Sequence, residues 1–137
     1  MREILFRGKK VDNGEWIYGC LLIDGVTGKY FIHMYGNCLN ESDKVGQEGC
    51  LMFCAFEVDQ ETVCQYTGLT DKNKKKIWQG DIVKAGGNLA VHWSEQFASW
   101  CLSKKGWMHN HFFGEAVAPE DCEVIGNIFD NPELLDT

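Results

Sequence analysis

Cysteine and histidine are the residue types in this chain that could do chemistry, and metal binding is the first chemistry they suggest. A structural zinc site usually has ligand pairs two to four residues apart. Only Cys50 with Cys54, and His109 with His111, come near that spacing. The apolar neighbours of the first pair, Leu51 to Phe56, favour two small core cysteines over two ligands. The full set of candidate ligands is Cys20, Cys38, Cys50, Cys54, Cys64, Cys101, Cys122, His33, His92, His109 and His111.

His109, Asn110 and His111 spell HNH, but they do not form the nuclease motif of that name, whose three residues are widely separated. On a strand, His109 and His111 share a face and could ligate one metal. No carboxylate or cysteine stands beside them, so solvent-facing strand positions are the favoured interpretation. We therefore predict no metal and no cofactor. A zinc site assembled from distant residues stays open, as does a metal-dependent hydrolase that uses His109, His111 and His92.

Covalent catalysis finds no support in the sequence. There is no G-x-S-x-G elbow for a nucleophilic serine, and Gly86-Gly87 lacks the further glycines and the Lys-Ser/Thr of a phosphate-binding loop. The adjacent carboxylates Glu120 and Asp121 are typical of a loop or a cap. We predict no catalytic residues and a protein that is not an enzyme.

Composition favours a β-rich globular chain. Of the 137 residues, 45% are hydrophobic and 12% aromatic, with 15 glycines and 2 prolines, which is typical of strands joined by tight turns. The net charge of -7, from 20 acidic and 13 basic residues, opposes binding to a phosphate backbone. The one basic cluster is a solvated loop or a contact for phosphate or an acidic protein, and it comprises Lys72, Lys74, Lys75 and Lys76.

The spacing of apolar runs and turn residues predicts strands almost throughout. Residues 1–60 are expected to form an N-terminal β-meander, with strands beginning at 4–6 and covering 16–23 and 30–34. Turns are predicted at Asp12-Asn13-Gly14 and Thr27-Gly28. The apolar run 50–56 is ambiguous between strand and helix and is assigned as strand, and residues 58–62 are a turn or a single helical turn.

Residues 61–137 are predicted to form a small SH3-like β-barrel, since short strands recur about every ten residues between glycine turns. The expected strands cover 82–84, 89–93, 97–102, 107–113 and 120–129, and Pro132 begins a short helical turn. Asp81, after Gly80, is expected to hold a turn by accepting backbone N–H bonds. No composition shift marks a linker, so the division near residue 60 is soft.

Five stretches of the chain resemble the YopX family of phage and prophage proteins. They are QYTGL at 65–69, DKNKK at 71–75, IWQGDIV at 77–83, MREILFRGK at 1–9 and VIGNIFDNPELL at 124–135. The resemblance implies no activity, because none is established for the family. One departure is Asn73-Lys74, where such proteins often have Asn-Gly. The tip must then form a longer loop or place Asn73 at positive φ.

The sequence thus predicts a mostly β (α+β) protein, and the resemblance to YopX proteins implies a non-enzymatic phage accessory protein in the bacterial cytoplasm. Seven cysteines without an export signal fit reduced thiols there, and no apolar run reaches the ~20 residues needed to cross a bilayer. Residues 61–137 carry nine aromatic side chains, more than a small barrel can enclose. We therefore expect a protein partner or a homo-oligomer, with contacts through Tyr66, Trp78, Trp93 and Trp107.

Four further residues are assigned to the fold: Gly68, Gly80, Asp81 and Gly126. The alternative function is a nucleic-acid-associated module, which small barrels and a phage context favour and the net charge opposes. Exposed aromatic residues beside the lysine cluster would strengthen it.

Overall fold

The computed structural model describes residues 3–34, 55–104, 111–115 and 117–136, and these residues are mostly β. The strands are β1 (Phe6–Lys9), β2 (Trp16–Ile23), β3 (Tyr30–His33), β4 (Ala55–Val58), β5 (Cys64–Thr70), β6 (Lys76–Trp78), β7 (Asp81–Lys84), β8 (Asn88–Ser94), β9 (Ser99–Ser103), β10 (His111–Phe112) and β11 (Glu123–Asn127). Short 3₁₀ helices cover Gln60–Thr62, Pro119–Asp121 and Pro132–Asp136. The paired strands are antiparallel and belong to two sheets.

The chain divides into two compact units, Glu3–Gln65 and the residues from Tyr66 onward. β5 begins in the first unit and continues into the second. Whether the parts of the chain on either side of residue 60 are independent domains stays a prediction.

The N-terminal unit is a meander in which β1, β2, β3 and β4 follow one another across the sheet. Alternation along the strands buries Ile17, Ile32 and Val58 on one face. The sheet curls, so that Lys10 bridges Val58 and the Asp59 N–H donates to the Lys9 carbonyl at 2.8 Å. The curl is tight where Gly8 faces Val58, because a Cβ on Gly8 would lie 3.0 Å from the valine Cβ.

The C-terminal unit contains a five-stranded sheet in the order β10-β9-β8-β7-β11. Alternate residues of its strands point into one core, which also takes a residue from β6 and one that precedes β11. The fully or nearly fully buried members are Ile77, Val83, Leu89, Val91, Leu102 and Cys122. Leu89 and Val91 therefore set the inward face of β8, and their positions determine which side chains the strand turns outward.

The prediction of a mostly β protein is confirmed, but two finer predictions are not. Residues 3–34, 55–104, 111–115 and 117–136 contain no α-helix, so the α+β label is wrong for this part of the chain. They also contain no closed barrel, so the SH3-like barrel is not confirmed. At the outer edge of β11, the Val124 N–H donates to the Asp71 carboxylate at 3.0 Å. Asp71 belongs to a hairpin loop, so a loop rather than another strand occupies this edge of the sheet.

Several predicted boundaries also shift. β1 begins at Phe6 rather than Ile4. β9 begins at Ser99 rather than Phe97, because Ala98 lies at φ 48° within a turn. The strand predicted at 120–129 is shorter, because a 3₁₀ turn at Pro119–Asp121 precedes β11. The strand at 16–23 and the helical turn that begins at Pro132 are as predicted. The strand assignments for 50–54 and 107–110 lie outside the described residues.

Candidate functional site

Tyr66 and Trp78, two of the predicted contact residues, lie inside the C-terminal unit. They are paired across β5 and β6, with ring centroids 5.5 Å apart and planes tilted by 45°. Tyr66 is 7% exposed and Trp78 is 6% exposed. The aromatic pair therefore packs the hairpin, and little of either ring is left for a partner.

The pairing of β5 with β6 is irregular here, since its register shifts between Tyr66 and Thr70. Buried Thr67 bridges the irregularity: its hydroxyl donates to the Ile77 carbonyl at 2.7 Å and accepts from Leu69 N–H at 3.1 Å. Gly68 has φ 87°, in the left-handed region that glycine adopts without steric cost. Thr and Gly at these positions are thus explained by backbone geometry.

Asp71 organises the tip of this hairpin from a buried position. Its Oδ1 accepts from Asn73 N–H at 2.8 Å and Lys75 N–H at 2.9 Å, and its Oδ2 accepts from Val124 N–H. Burial alone would raise the pKa of Asp71, but the hydrogen bonds from Val124, Lys75 and Asn73 outweigh it and the pKa is lowered. The carboxylate therefore fixes both the loop and the start of β11.

In place of an Asn-Gly turn, a loop of five residues connects β5 and β6 at this tip. Lys74, at φ 65°, takes the left-handed position, so the alternative in which Asn73 has positive φ is wrong. A lysine in this region is strained by about 1 kcal/mol relative to glycine. Asn73 instead contributes its backbone N–H to Asp71.

Gly80 and Asp81 shape the turn between β6 and β7. Asp81 Oδ2 accepts from Trp78 N–H at 2.8 Å. Gly80 has φ 84°, donates to the Val91 carbonyl at 2.8 Å and accepts from Ile128 N–H at 2.8 Å. Gly126 is also closely packed, because a Cβ there would lie 2.6 Å from Asn131 Oδ1.

The exposed aromatic side chains that the structure describes in this unit lie at the end of the β8–β9 hairpin. Trp93 is 41% exposed and Phe97 is 54% exposed. Each has a ring beneath it: Trp93 meets Trp100 edge-on at 5.0 Å, and Phe97 meets Phe112 edge-on at 5.4 Å. We call these four residues the aromatic hairpin.

The two pairs of the aromatic hairpin point to opposite faces of the sheet. Trp93 is paired with Trp100, whereas Phe112 is paired with Cys101, the next residue along β9. Since successive strand residues alternate between faces, the hairpin end presents one aromatic ring on each side. Its carboxylates are Glu95 in the turn and Glu115 after β10, both exposed, and residues 85–103 contain no lysine or arginine.

Only Trp93 of the four predicted contact residues is both described and exposed, because Trp107 lies outside the described residues. Sequence reasoning did not select Phe97, because 97–102 was assigned as a strand. The signal that could have found it is the polar pair Glu95-Gln96 before it, which favours a turn between the two tryptophans.

The residues suited to covalent or metal chemistry do not assemble in the described part of the chain. Among residues 3–34, 55–104, 111–115 and 117–136, no three His, Cys, Asp or Glu side chains are grouped closely enough to hold a metal. His92 lies opposite Cys101 across β8 and β9. Burial raises the pKa of the Cys101 thiol, which disfavours the nucleophilic thiolate. Burial also raises the pKa of Cys122, to about 11. His109, Cys38, Cys50 and Cys54 lie outside the described residues.

Two surface depressions lie among the described residues of the N-terminal unit. One, of about 510 Å³, is lined by Lys10, Lys29 and residues 57–60, and its charges are partly balanced, since Lys29 Nζ lies 3.7 Å from Glu57. The other, of about 260 Å³, is apolar and includes Leu22 and Phe31. Neither combines several convergent donors with a deep apolar enclosure, as small-molecule sites usually do.

Comparison with known proteins gives one family. The family model described as YopX protein matches residues 5–136 of this chain. No curated protein matches it. In the part of the chain that the structure describes, no helix is long and apolar enough to cross a membrane.

Proposed function

We propose that this chain, which belongs to the YopX family, is a non-enzymatic phage or prophage accessory protein that binds another protein through the aromatic hairpin. The observation that carries the proposal is that Trp93 and Phe97 are exposed while each packs edge-on against a second aromatic ring. Rigid, pre-positioned aromatic side chains lose little conformational entropy on binding and are the commonest anchors of protein interfaces.

The size of these anchors sets what they contribute. At exposures of 41% and 54%, Trp93 and Phe97 each leave roughly 100 Å² of ring surface in water. Burying that surface is worth about 2–3 kcal/mol per ring. Both rings together cover much less than the ~800 Å² that a stable interface buries on each partner. They therefore act as hot spots within a larger contact.

The roles of the motif residues also support a binding protein over an enzyme. Thr67, Asp71 and Asp81 direct their polar atoms to backbone groups of the chain itself. Each of these side chains is buried. These three polar residues of the YopX-like motifs thereby stabilise turns of the chain.

The test is capture of binding partners from a lysate of the bacterial host, with the wild-type protein and a Trp93→Ala/Phe97→Ala variant as baits. The matched control is Ile23→Ala/Val26→Ala, which removes two exposed apolar side chains from the N-terminal unit. Protein and nucleic acid are quantified separately after washes at low and high salt. We expect one protein to be retained at high salt by the wild type and the control, and lost from the aromatic variant.

Three outcomes would contradict the proposal. Equal capture by all three baits would remove the aromatic hairpin as the binding surface. Nucleic acid retained only at low salt would favour the alternative function, in which the exposed lysines between β5 and β6 contact phosphate. Stoichiometric metal in the purified protein, lost in His109→Ala, would revive the metal-dependent hydrolase.

A further inference from the structure

We infer that one partner of the aromatic hairpin is the lysine-rich hairpin tip of a second copy of this chain, so that copies associate head to tail. We define the lysine tip as residues 72–76, which contain Lys72, Lys74, Lys75 and Lys76. The inference rests on the proposed function, because it names the partner of the same surface.

Charge complementarity favours this partner. The aromatic hairpin carries two exposed carboxylates, Glu95 and Glu115, and no lysine or arginine occurs in 85–103. An ammonium group placed over a tryptophan face is attracted by the ring as well as by nearby carboxylates. The surface therefore suits a lysine-bearing segment better than an acidic one.

The lysine tip is built to present such charges. Lys74 and Lys75 are exposed, while the one carboxylate within the turn, Asp71, is 3% exposed and holds the loop from below. Lys72 Nζ lies 3.5 Å from the Glu123 carboxylate, which partly balances its charge. Lys74 and Lys75 are therefore the main positive charges that the tip presents. The same tip already shows how a lysine meets an aromatic ring, because Lys76 Nζ lies 5.4 Å from the centroid of Tyr66.

The two surfaces cannot meet within one copy. Val124 N–H on β11 is bonded to Asp71 and so places the tip at one edge of the sheet, whereas the aromatic hairpin occupies β8, β9 and β10 toward the other edge. The separation is two to four strand spacings, about 10–19 Å across the sheet. Along β8 they are displaced by the four residues from Leu89 to Trp93, about 14 Å. Contact between such surfaces is heterologous, and it can extend from copy to copy.

A complementation experiment tests the head-to-tail arrangement. One variant, Trp93→Ala/Phe97→Ala, removes the exposed rings of the aromatic hairpin and keeps the lysine tip. The other, Lys74→Glu/Lys75→Glu, reverses the charges of the lysine tip and keeps the aromatic hairpin. The charge-reversal control is Lys29→Glu, which changes an exposed lysine of the N-terminal unit. Masses are measured by sedimentation from roughly 10 μM to 1 mM, since a contact of this size is weak.

We expect the mass of the wild type and of the charge control to rise with concentration and to pass two chains. The association constant of each variant alone should fall at least tenfold, and an equimolar mixture of the two variants should reach two chains and stop. High salt should weaken the mixed dimer, because exposed ion pairs are screened. Unfolding midpoints check that each variant is folded, and Lys74→Gln/Lys75→Gln replaces the charge reversal if that variant is not.

Three results would overturn the inference. They are a wild type that stays monomeric, a mixture that stays monomeric, and association that depends on Trp93 and Phe97 but not on Lys74 and Lys75. The third result indicates a symmetric aromatic contact between copies. A monomeric wild type that still captures a protein through the aromatic hairpin would refute the head-to-tail contact alone and leave the proposed function intact.

Discussion

Replacing Asp71 with asparagine is the sharpest test of how this fold is held, because the side chain keeps its size and loses its charge. The carboxylate accepts two N–H groups at Oδ1 and one at Oδ2, at 2.8–3.0 Å. An asparagine oxygen can serve only one of these two positions, and its amide group then faces an N–H donor at the other. We expect Asp71→Asn to be less stable at neutral pH.

The magnitude follows from the bonds that change. Hydrogen bonds to a charged group contribute about 1.5–3 kcal/mol, and neutral ones about 1 kcal/mol. Losing the bond from Val124 and weakening those from Asn73 and Lys75 gives a loss of roughly 2–4 kcal/mol in the free energy of unfolding. The 3% exposure of Asp71 means that solvent does little to compensate.

The pH dependence makes the argument specific to the charge. The pKa of Asp71 is lowered from 3.8 in the folded state. Its stabilisation is therefore present above pH 3.8 and disappears as the pH falls toward the folded-state pKa. A protonated Asp71 is neutral, like asparagine, so the difference between wild type and Asp71→Asn should shrink as the pH falls below 3.8 toward the lowered pKa of the folded state.

Urea unfolding of both proteins across this pH range measures the difference directly. The matched control is Asp24→Asn, because Asp24 also accepts a turn N–H, from Val26 at 2.9 Å, but at the solvent-exposed surface of the other unit. We expect the control to lose much less stability. A loss at Asp71 that is the same at pH 7 and pH 3, or no larger than that of the control, would refute the carboxylate as the organiser of the tip.

Three further predictions concern strain, packing and burial. Lys74→Gly should stabilise the protein by about 0.5–1 kcal/mol, because glycine adopts φ 65° without strain. Lys75→Gly makes the same charge change at a residue with negative φ and should not stabilise the protein. Equal urea unfolding midpoints for the two variants would contradict this prediction. Gly126→Ala should lose about 1–2 kcal/mol against Asn131, whereas Gly25→Ala, which meets nothing within 4 Å, should be neutral in the same assay. Cys122, buried with a pKa of about 11, should resist iodoacetamide in the folded protein and react in urea, as peptide mass spectrometry would show; rapid labelling of the folded protein would place Cys122 at the surface.

Alternation and turn chemistry allowed most of the secondary structure to be predicted. β2 has the predicted ends because Trp16–Ile23 lies between two turns with glycines at positive φ, Gly14 and Gly28. The family resemblance was equally reliable, since its motifs lie at structurally demanding turns. Closure of the sheet was not predictable, because it depends on which groups satisfy the edge of β11. Asp71, 53 residues away in sequence from Val124, does so in place of a strand.

The candidate site was harder to predict than the fold, because exposure is a property of packing. Tyr66, Trp78 and Trp93 have the same aromatic character and all lie in or beside apolar runs. Tyr66 and Trp78 are buried because they face each other across β5 and β6. Trp93 stays exposed because it lies at the end of the hairpin, two residues beyond Val91, the last fully buried position of β8. Periodicity gives the face on which a ring lies but not the point at which the core ends.

The position of the aromatic hairpin relative to the YopX-like motifs separates fold from function. The motifs at 65–83 and 124–135 supply Thr67, Asp71, Asp81 and Gly126, whose contacts stabilise turns and close packing. Trp93 and Phe97 lie between these blocks, on a hairpin whose strands need only inward residues such as Leu89 and Val91 to keep their place. Trp93 shares the face of Leu89 and Val91, but it lies beyond the buried part of that face and is 41% exposed. A match to the motifs therefore identifies the scaffold, and the partner has to be read from the residues that the scaffold leaves exposed.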